Sequence, residues 1–142
     1  MDTGFISKSL ALRKPVKCEC GKDRMKLDEP VIAMWEGKRI HVRDGYVTDG
    51  ASIPRSAWLP VGNPWEEYLG AAIIHDWLYE SEVWPREDAD RCFVDLMEWL
   101  GINWARRNVM YSAVRLGGGF TWKKHTEASI ALARQLGSAT GG

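Results

Sequence analysis

Residues 70–93, GAAIIHDWLYESEVWPREDADRCF, constrain this chain more than any other stretch. They read as an amphipathic helix carrying His75, Asp76 and Tyr79, a short turn, and a second helix entered through Glu87-Asp88-Ala89-Asp90. At about 3.6 residues per turn, His75 and Tyr79 share a face with Tyr68, Ala71 and Ala72. On the second helix Ala89, Phe93, Met97 and Leu100 form the core stripe. Asp90 falls beside Met97 on the inner side, and Asp88 points the opposite way. A short link makes the two helices antiparallel neighbours and carries Asp90 towards His75. The expected centre is a half-buried imidazole facing a half-buried carboxylate across a crevice.

The 142 residues suffice for one domain, 1–142, with a real hydrophobic core. Formal net charge is zero, so no global basic field favours nucleic acid, and none is expected as a partner. Cys18, Cys20 and Cys92 are an odd set with no second metal-ligand pair. That argues against a disulfide framework or zinc site and for reduced thiols. Eight tryptophans supply core or groove wall. Of these, Trp58, Trp65 and Trp77 read either as an exposed rim for lipid or protein, or as core. No signal-peptide core or membrane-spanning stretch is visible, which implies synthesis in the cytoplasm without an encoded secretion route.

The expected fold class is α+β: a small N-terminal antiparallel sheet followed by about four helices, with a helical hairpin at the core. Residues 1–13 are a polar lead-in. About 15–49 is β-rich, with Val31–Trp35 and Arg39–Val42 joined by a turn at Glu36-Gly37-Lys38, and Asp44-Gly45 as a second turn. The helical part spans 64–136. The first helix starts after Asn63 and runs to about Glu82, and the second covers Pro85 to Leu100 and ends at Gly101. A third, capped by Asn103, runs Trp104 to Leu116 until Gly117-Gly118-Gly119 breaks it. Its inner face is either Val109, Ala113 and Leu116 or Met110 and Val114. A fourth runs from about Lys123 to Leu136 with Ala128, Leu132 and Leu136 as its stripe. Residues 137–142 form a frayed, flexible tail.

Chemistry concentrates on the helical pair. His75 can act as a general base whose tautomer is set by Asp90, with Tyr79 one turn on to fix that carboxylate. Asp76, about 100° round the helix, faces the preceding loop and can hold a hard cation there, with Asp49 as a second tentative ligand. Ser52 and Arg55 line the same loop. The competing reading is a structural His–Asp–Tyr network that closes the helix pair. In the loop, Ser52 lacks a nucleophile-elbow context and reads better as a turn residue. His41 with His75-Asp76 and Asp90 suggests metal-dependent phosphohydrolases of the HD type, but those ligands lie on helices and His41 sits in a strand pattern. His125 and the Trp104-Ala105-Arg106-Arg107 run read as surface.

Two resemblances follow from these residues. Thr48-Asp49-Gly50-Ala51-Ser52-Ile53-Pro54, Ala72–Tyr79 and Ala89–Phe93, with Tyr111–Arg115 at the end, resemble a family of small domains of unknown function encoded by phages and prophages. Ala71–Tyr79 followed by Ala89–Phe93 is also similar to the catalytic helices of secreted-type phospholipases, and to their parvoviral counterparts that lack disulfides. That likeness implies water activation by His75, support from Tyr79 and Asp90, and calcium on Asp76. The chain departs from the pattern at the calcium loop, where Gly-x-Gly is missing and only Val61-Gly62-Asn63 stands nearby. The expectation is therefore a phage-derived hydrolase acting on esters with or without a divalent cation such as calcium, and with no other cofactor. The alternatives are a non-catalytic virion, tail or assembly protein, and an inhibitor of a host defence protein. Partners would be other phage proteins or a host protein, with lipid contact only on the phospholipase reading. The location would be the host cytoplasm, or the virion after packaging.

Overall fold

The computed structural model describes residues 3–5, 12–17, 23–27, 29–48, 69–123 and 125–140. Within them the chain is α+β. Strands β1 (Gly4–Phe5), β2 (Leu12–Lys17), β3 (Asp23–Leu27), β4 (Val31–Trp35), β5 (Lys38–Val42) and β6 (Val47–Thr48) precede four helices. These are α1 (Leu69–Ser81), α2 (Arg86–Trp99), α3 (Trp104–Lys123) and α4 (Glu127–Gln135), and a last strand, β7 (Gly137–Ala139), follows them.

The β4–β5 hairpin forms as its sequence demands. Glu36 and Gly37 both take positive φ, 49° and 77°, the primed turn whose twist matches paired strands. Alternation then puts Val31, Ala33, Trp35, Ile40 and Val42 on one buried face, against α1. The second turn does more than expected. After Gly45 (φ 91°) the chain leaves this sheet, and β6 pairs with β3 instead. The result is two antiparallel sheets, β1-β4-β5-β7 and β2-β3-β6, where one was expected. Within the polar lead-in, Gly4 and Phe5 pair with Met34 and Ala33. In β2 the register slips between Arg13 and Val16, around a proline that has no N–H to give the ladder.

Helix α1 is not amphipathic in its setting: every residue from Gly70 to Tyr79 is buried. The β4–β5 sheet lies against it, as do α2, α3 and α4, so it is the central rod. The expected start at Asn63 lies outside the described residues. Helix α2 ends as expected. Gly101 (φ 86°) donates to Glu98 O at 3.0 Å and Ile102 donates to Met97 O at 3.0 Å, a double closure of the last turn. Asn103 then caps α3, its Oδ1 accepting from Arg106 N at 2.9 Å.

Three helical expectations fail for stated reasons. Helix α3 continues through Gly117–Gly119 to Lys123, because contacts on both sides of the glycines hold it. Trp122 packs edge-on to Tyr79 with ring centroids 5.3 Å apart, and Arg86 donates to the carbonyls of Val114 (3.1 Å) and Arg115 (3.2 Å). These offset a cost of about 1 kcal/mol per glycine. Its inner face is Met110 and Val114, while Val109 and Leu116 are exposed. Helix α4 starts later than Lys123, at a reciprocal cap between Thr126 and Ser129. Its buried residue is Ala133, and Leu132 is exposed.

The expected frayed tail instead forms β7 on the outer edge of β5, with Ile40 opposite Ala139 and Val42 opposite Gly137. Beneath it Trp77 is fully buried, its Nε1 donating to Ala133 O at 2.8 Å, so it belongs to the core and not to a rim. Trp58 and Trp65 lie outside the described residues. Trp35 and Trp84 join the core at 5.5 Å from each other, whereas Trp99 and Trp104 are exposed. No helix is long and apolar enough to cross a membrane among the described residues.

A methyl at residue 137 would meet Trp77 Cε2 at 2.6 Å and the His41 carbonyl at 2.7 Å. Gly137→Ala should therefore destabilise the fold by about 1–3 kcal/mol, since a backbone atom must move. Urea denaturation of the variant beside the wild type checks this.

Candidate functional site

The two central helices bring His75 and Asp90 together as their spacing requires. His75 Nε2 lies 2.8 Å from Asp90 Oδ1, and the Tyr79 hydroxyl donates to the same oxygen at 2.6 Å. Because Tyr79 follows His75 by one turn, both side chains reach a single residue on the antiparallel neighbour. The His75 ring is 4.2 Å from the Tyr79 ring and 4.6 Å from that of Phe93, centroid to centroid, which fixes its plane.

Two arginines complete the centre, and neither was singled out from the sequence. Arg115, from α3, donates to Asp90 Oδ2 at 2.8 Å. Arg86, one turn before Asp90 on α2, approaches Oδ2 at 3.8 Å and donates to the Tyr79 hydroxyl at 3.3 Å. The Arg86–Asp90 spacing is a readable signal, being an i,i+4 pair of opposite charge. Nothing local connects residues 115 and 90.

Electrostatics follow from these contacts. Burial pushes the Asp90 carboxyl up, but hydrogen bonds from His75, Tyr79 and Arg115 outweigh it and hold the group below the ordinary carboxylate value. Asp90 is therefore ionised at neutral pH, and Nε2–H of His75 is the donor in their contact. Burial, then the hydrogen bond to that carboxylate, pushes the Tyr79 phenol above its ordinary value, so it stays a donor. The opposite ring nitrogen, His75 Nδ1, is buried with no hydrogen-bond partner among the described residues.

The centre is more deeply placed than expected. His75 is 1% exposed and Asp90 0%, so the two meet inside the helical layer and not across an open crevice. The reason is the all-round burial of α1.

Asp76 looks away from this centre, as the helical step requires. It is buried beside the Tyr46 hydroxyl, which lies 3.2 Å from Asp76 Oδ2 and 2.9 Å from Glu80 Oε2. Tyr46 and Glu80 are further neighbours that the sequence did not single out. Asp49, Ser52 and Arg55 lie outside the described residues. Among those described, no three His, Cys, Asp or Glu side chains gather to hold a metal ion. His41 stays in the sheet, opposite Ile32 and Ser138. His125 is not free surface: its Nδ1 is 3.3 Å from Glu82 Oε2 and its ring lies tilted against that of Trp122, centroids 5.9 Å apart. Cys92 is buried, and burial with the nearby Asp95 and Glu36 charges raises its thiol well above the ordinary value, which makes it a poor nucleophile.

This is an α+β domain built on a buried His–Asp–Tyr–Arg centre between three helices. The chain belongs to the family described as "Protein of unknown function (DUF1353)", which matches residues 25–114 and so includes His75, Asp76, Tyr79 and Asp90. Two relatives come from Sinorhizobium fredii (strain NBRC 101917 / NGR234). Uncharacterized protein y4iH is 40% identical over 68 residues, 47% of this chain and 28% of that protein. Uncharacterized protein y4jT is 36% identical over 92 residues, 64% of this chain and 26% of that protein. The chain thus aligns with little more than a quarter of the length of these curated relatives. No solved structure matches.

The lowered Asp90 value sets a pH dependence. Between its folded and unfolded pKa the unfolded chain binds more protons, so stability rises with pH. The contribution is complete above about pH 4, near the unfolded value, and is lost as pH falls through the folded one. Asp90→Asn should lower Tm at neutral pH yet flatten the acid limb of the Tm–pH curve, which thermal melts across the acid range check.

Proposed function

We propose that the chain is a hydrolase in which His75 is the general base and Asp90 its orienting partner, attacking an ester through water. The observation that carries this reading is Nδ1 of His75. Its ring is held by Asp90, Tyr79 and Phe93 while that nitrogen has no partner among the described residues. A buried acceptor left unpaired costs about 1–3 kcal/mol, which a purely structural network gains nothing by carrying. In the reaction Nδ1 takes a proton from water as the water oxygen bonds the acyl carbon. The ester C–O bond then breaks, and the leaving alkoxide takes that proton back, giving acid and alcohol. Asp90 stays ionised throughout and stabilises the imidazolium.

The likeness to phospholipase catalytic helices supports a lipid ester as the substrate class, and the likeness to phage-encoded domains supports a phage or prophage setting. Calcium on Asp76 is a poorer fit. Calcium takes six to eight oxygen ligands. Among the described residues, Asp76 and Glu80 are the carboxylates at the Tyr46 hydroxyl, which has a single proton to share between them.

A second reading draws on burial. With His75 and Asp90 both inside the core, the network would be scaffold in a non-catalytic virion, tail or assembly protein. The two readings separate on one comparison. As a base, His75→Ala should abolish turnover of short-chain nitrophenyl and phospholipid esters in a chain that still folds, though with a lowered Tm. As scaffold, His75→Ala and Asp90→Ala should each cost about 1–3 kcal/mol while the wild type turns over no ester. Turnover that survives His75→Ala removes the hydrolase proposal as written. Calcium-titrated melts of the wild type and Asp76→Asn test the cation: a Tm rise confined to the wild type would restore it.

A further inference from the structure

Asp90 divides its two oxygens between different helices. Oδ1 serves His75 and Tyr79 on α1, and Oδ2 accepts from Arg115 on α3. Arg86 is a weaker partner for Oδ2, because its guanidinium is already spread over the Tyr79 hydroxyl and two carbonyls of α3. The Arg115 side chain, 35% exposed, runs from solvent to a carboxylate with no exposed surface. It is the direct cationic contact of Asp90 at 2.8 Å, on the oxygen that His75 does not use.

We infer that Arg115 is a positioning residue of this centre: by holding Oδ2 from α3 it fixes the carboxylate whose Oδ1 meets His75 Nε2, and so sets the tautomer of the ring. Nδ1 is thereby left as an acceptor. This deepens the hydrolase reading and rests on it for what the nitrogen accepts a proton from.

A carboxylate held by one oxygen can still swing about its own bonds, whereas a donor on the second oxygen stops that swing. Asp90 is held on Oδ1 from α1 and on Oδ2 from α3, so the direction in which Oδ1 meets the imidazole is fixed. Other charged and titratable groups near the centre are Tyr79 from α1 and Arg86 from α2. Glu87 from α2 and Tyr111 from α3 act on the Arg115 guanidinium, whose own value its hydrogen bond to Asp90 raises. Asp76 looks the other way, towards Tyr46 and Glu80.

The test is to record the His75 ring nitrogens by nitrogen-15 NMR at neutral pH in the full chain, for wild type, Arg115→Met, Arg115→Gln and Arg115→Lys. In the wild type Nε2 should carry the proton and Nδ1 should resonate as an acceptor. In Arg115→Met the two nitrogen shifts should move towards one another as the ring samples both tautomers. Arg115→Gln, of similar length but uncharged, should do the same and is read if the Met variant does not fold. Arg115→Lys should restore most of the wild-type pattern. If Met and Gln keep the wild-type nitrogen shifts, or if Lys fails as badly as they do, the positioning role is overturned. Ester turnover is scored separately. Nitrogen shifts as expected without turnover sink only the hydrolase reading, and turnover with unmoved nitrogens sinks only the role of Arg115.

Discussion

A carboxylate without solvent exposure survives ionised only where donors surround it, and the helical layer is assembled around that requirement at Asp90. His75 and Tyr79 reach it from α1, Arg115 from α3, and Arg86 from its own helix. Removing any of these leaves charge or a polar atom stranded in the core. The same residues carry the architecture outwards. Arg86 continues to the carbonyls of Val114 and Arg115, and Tyr79 continues through Trp122 to His125 and Glu82. One buried negative charge thus ties three helices and the α3–α4 corner together.

Such a network is compatible with both chemistry and scaffolding, and the two differ at a single atom. Asp90 has donors on both oxygens, Tyr79 both donates and accepts, and Arg86 is engaged along its fork. Among the described residues, pairing within this network stops on the far side of the imidazole. A network selected for stability alone has every reason to close there, which is why the open nitrogen weighs more than the completeness of the rest. The depth of the site weighs the other way. Any substrate has to reach a ring lodged between α1, α2 and Phe93.

Much of this was legible in the chain. Helical periodicity aimed His75 and Asp90 at each other and turned Asp76 away, because a rigid rod with a fixed angular step leaves little choice. Turn chemistry placed the Glu36-Gly37 hairpin, and Gly101 and Asn103 marked the boundary of α2 and α3. What the sequence could not show was tertiary override. Three consecutive glycines signal a break, yet Trp122 and Arg86 hold α3 through them. Asp44-Gly45 signals a turn without saying which strand its product will join, so the second sheet was missed. The depth of the centre was missed for a related reason. An amphipathic pattern gives the face a helix buries first, and cannot report that other elements will cover its back. Arg115 is the clearest case: its meaning exists only once residue 90 is beside it.

The edge strand β7 gives the molecule an awkward order of assembly. Arg39 donates its backbone N–H to the Thr140 hydroxyl, a bond between groups 101 positions apart. The hairpin at Val31–Val42 can form within its own neighbourhood, but its outer flank stays bare until the whole helical layer has been made and folded back. Closing so distant a pairing is slow, and the interval leaves an unpaired ladder available to other chains. Trp77, which lies under that edge, is enclosed by the same strand. Completion of the sheet and sealing of the central helix thus depend on one short segment, which reaches back over the hairpin laid down in the first third of the chain.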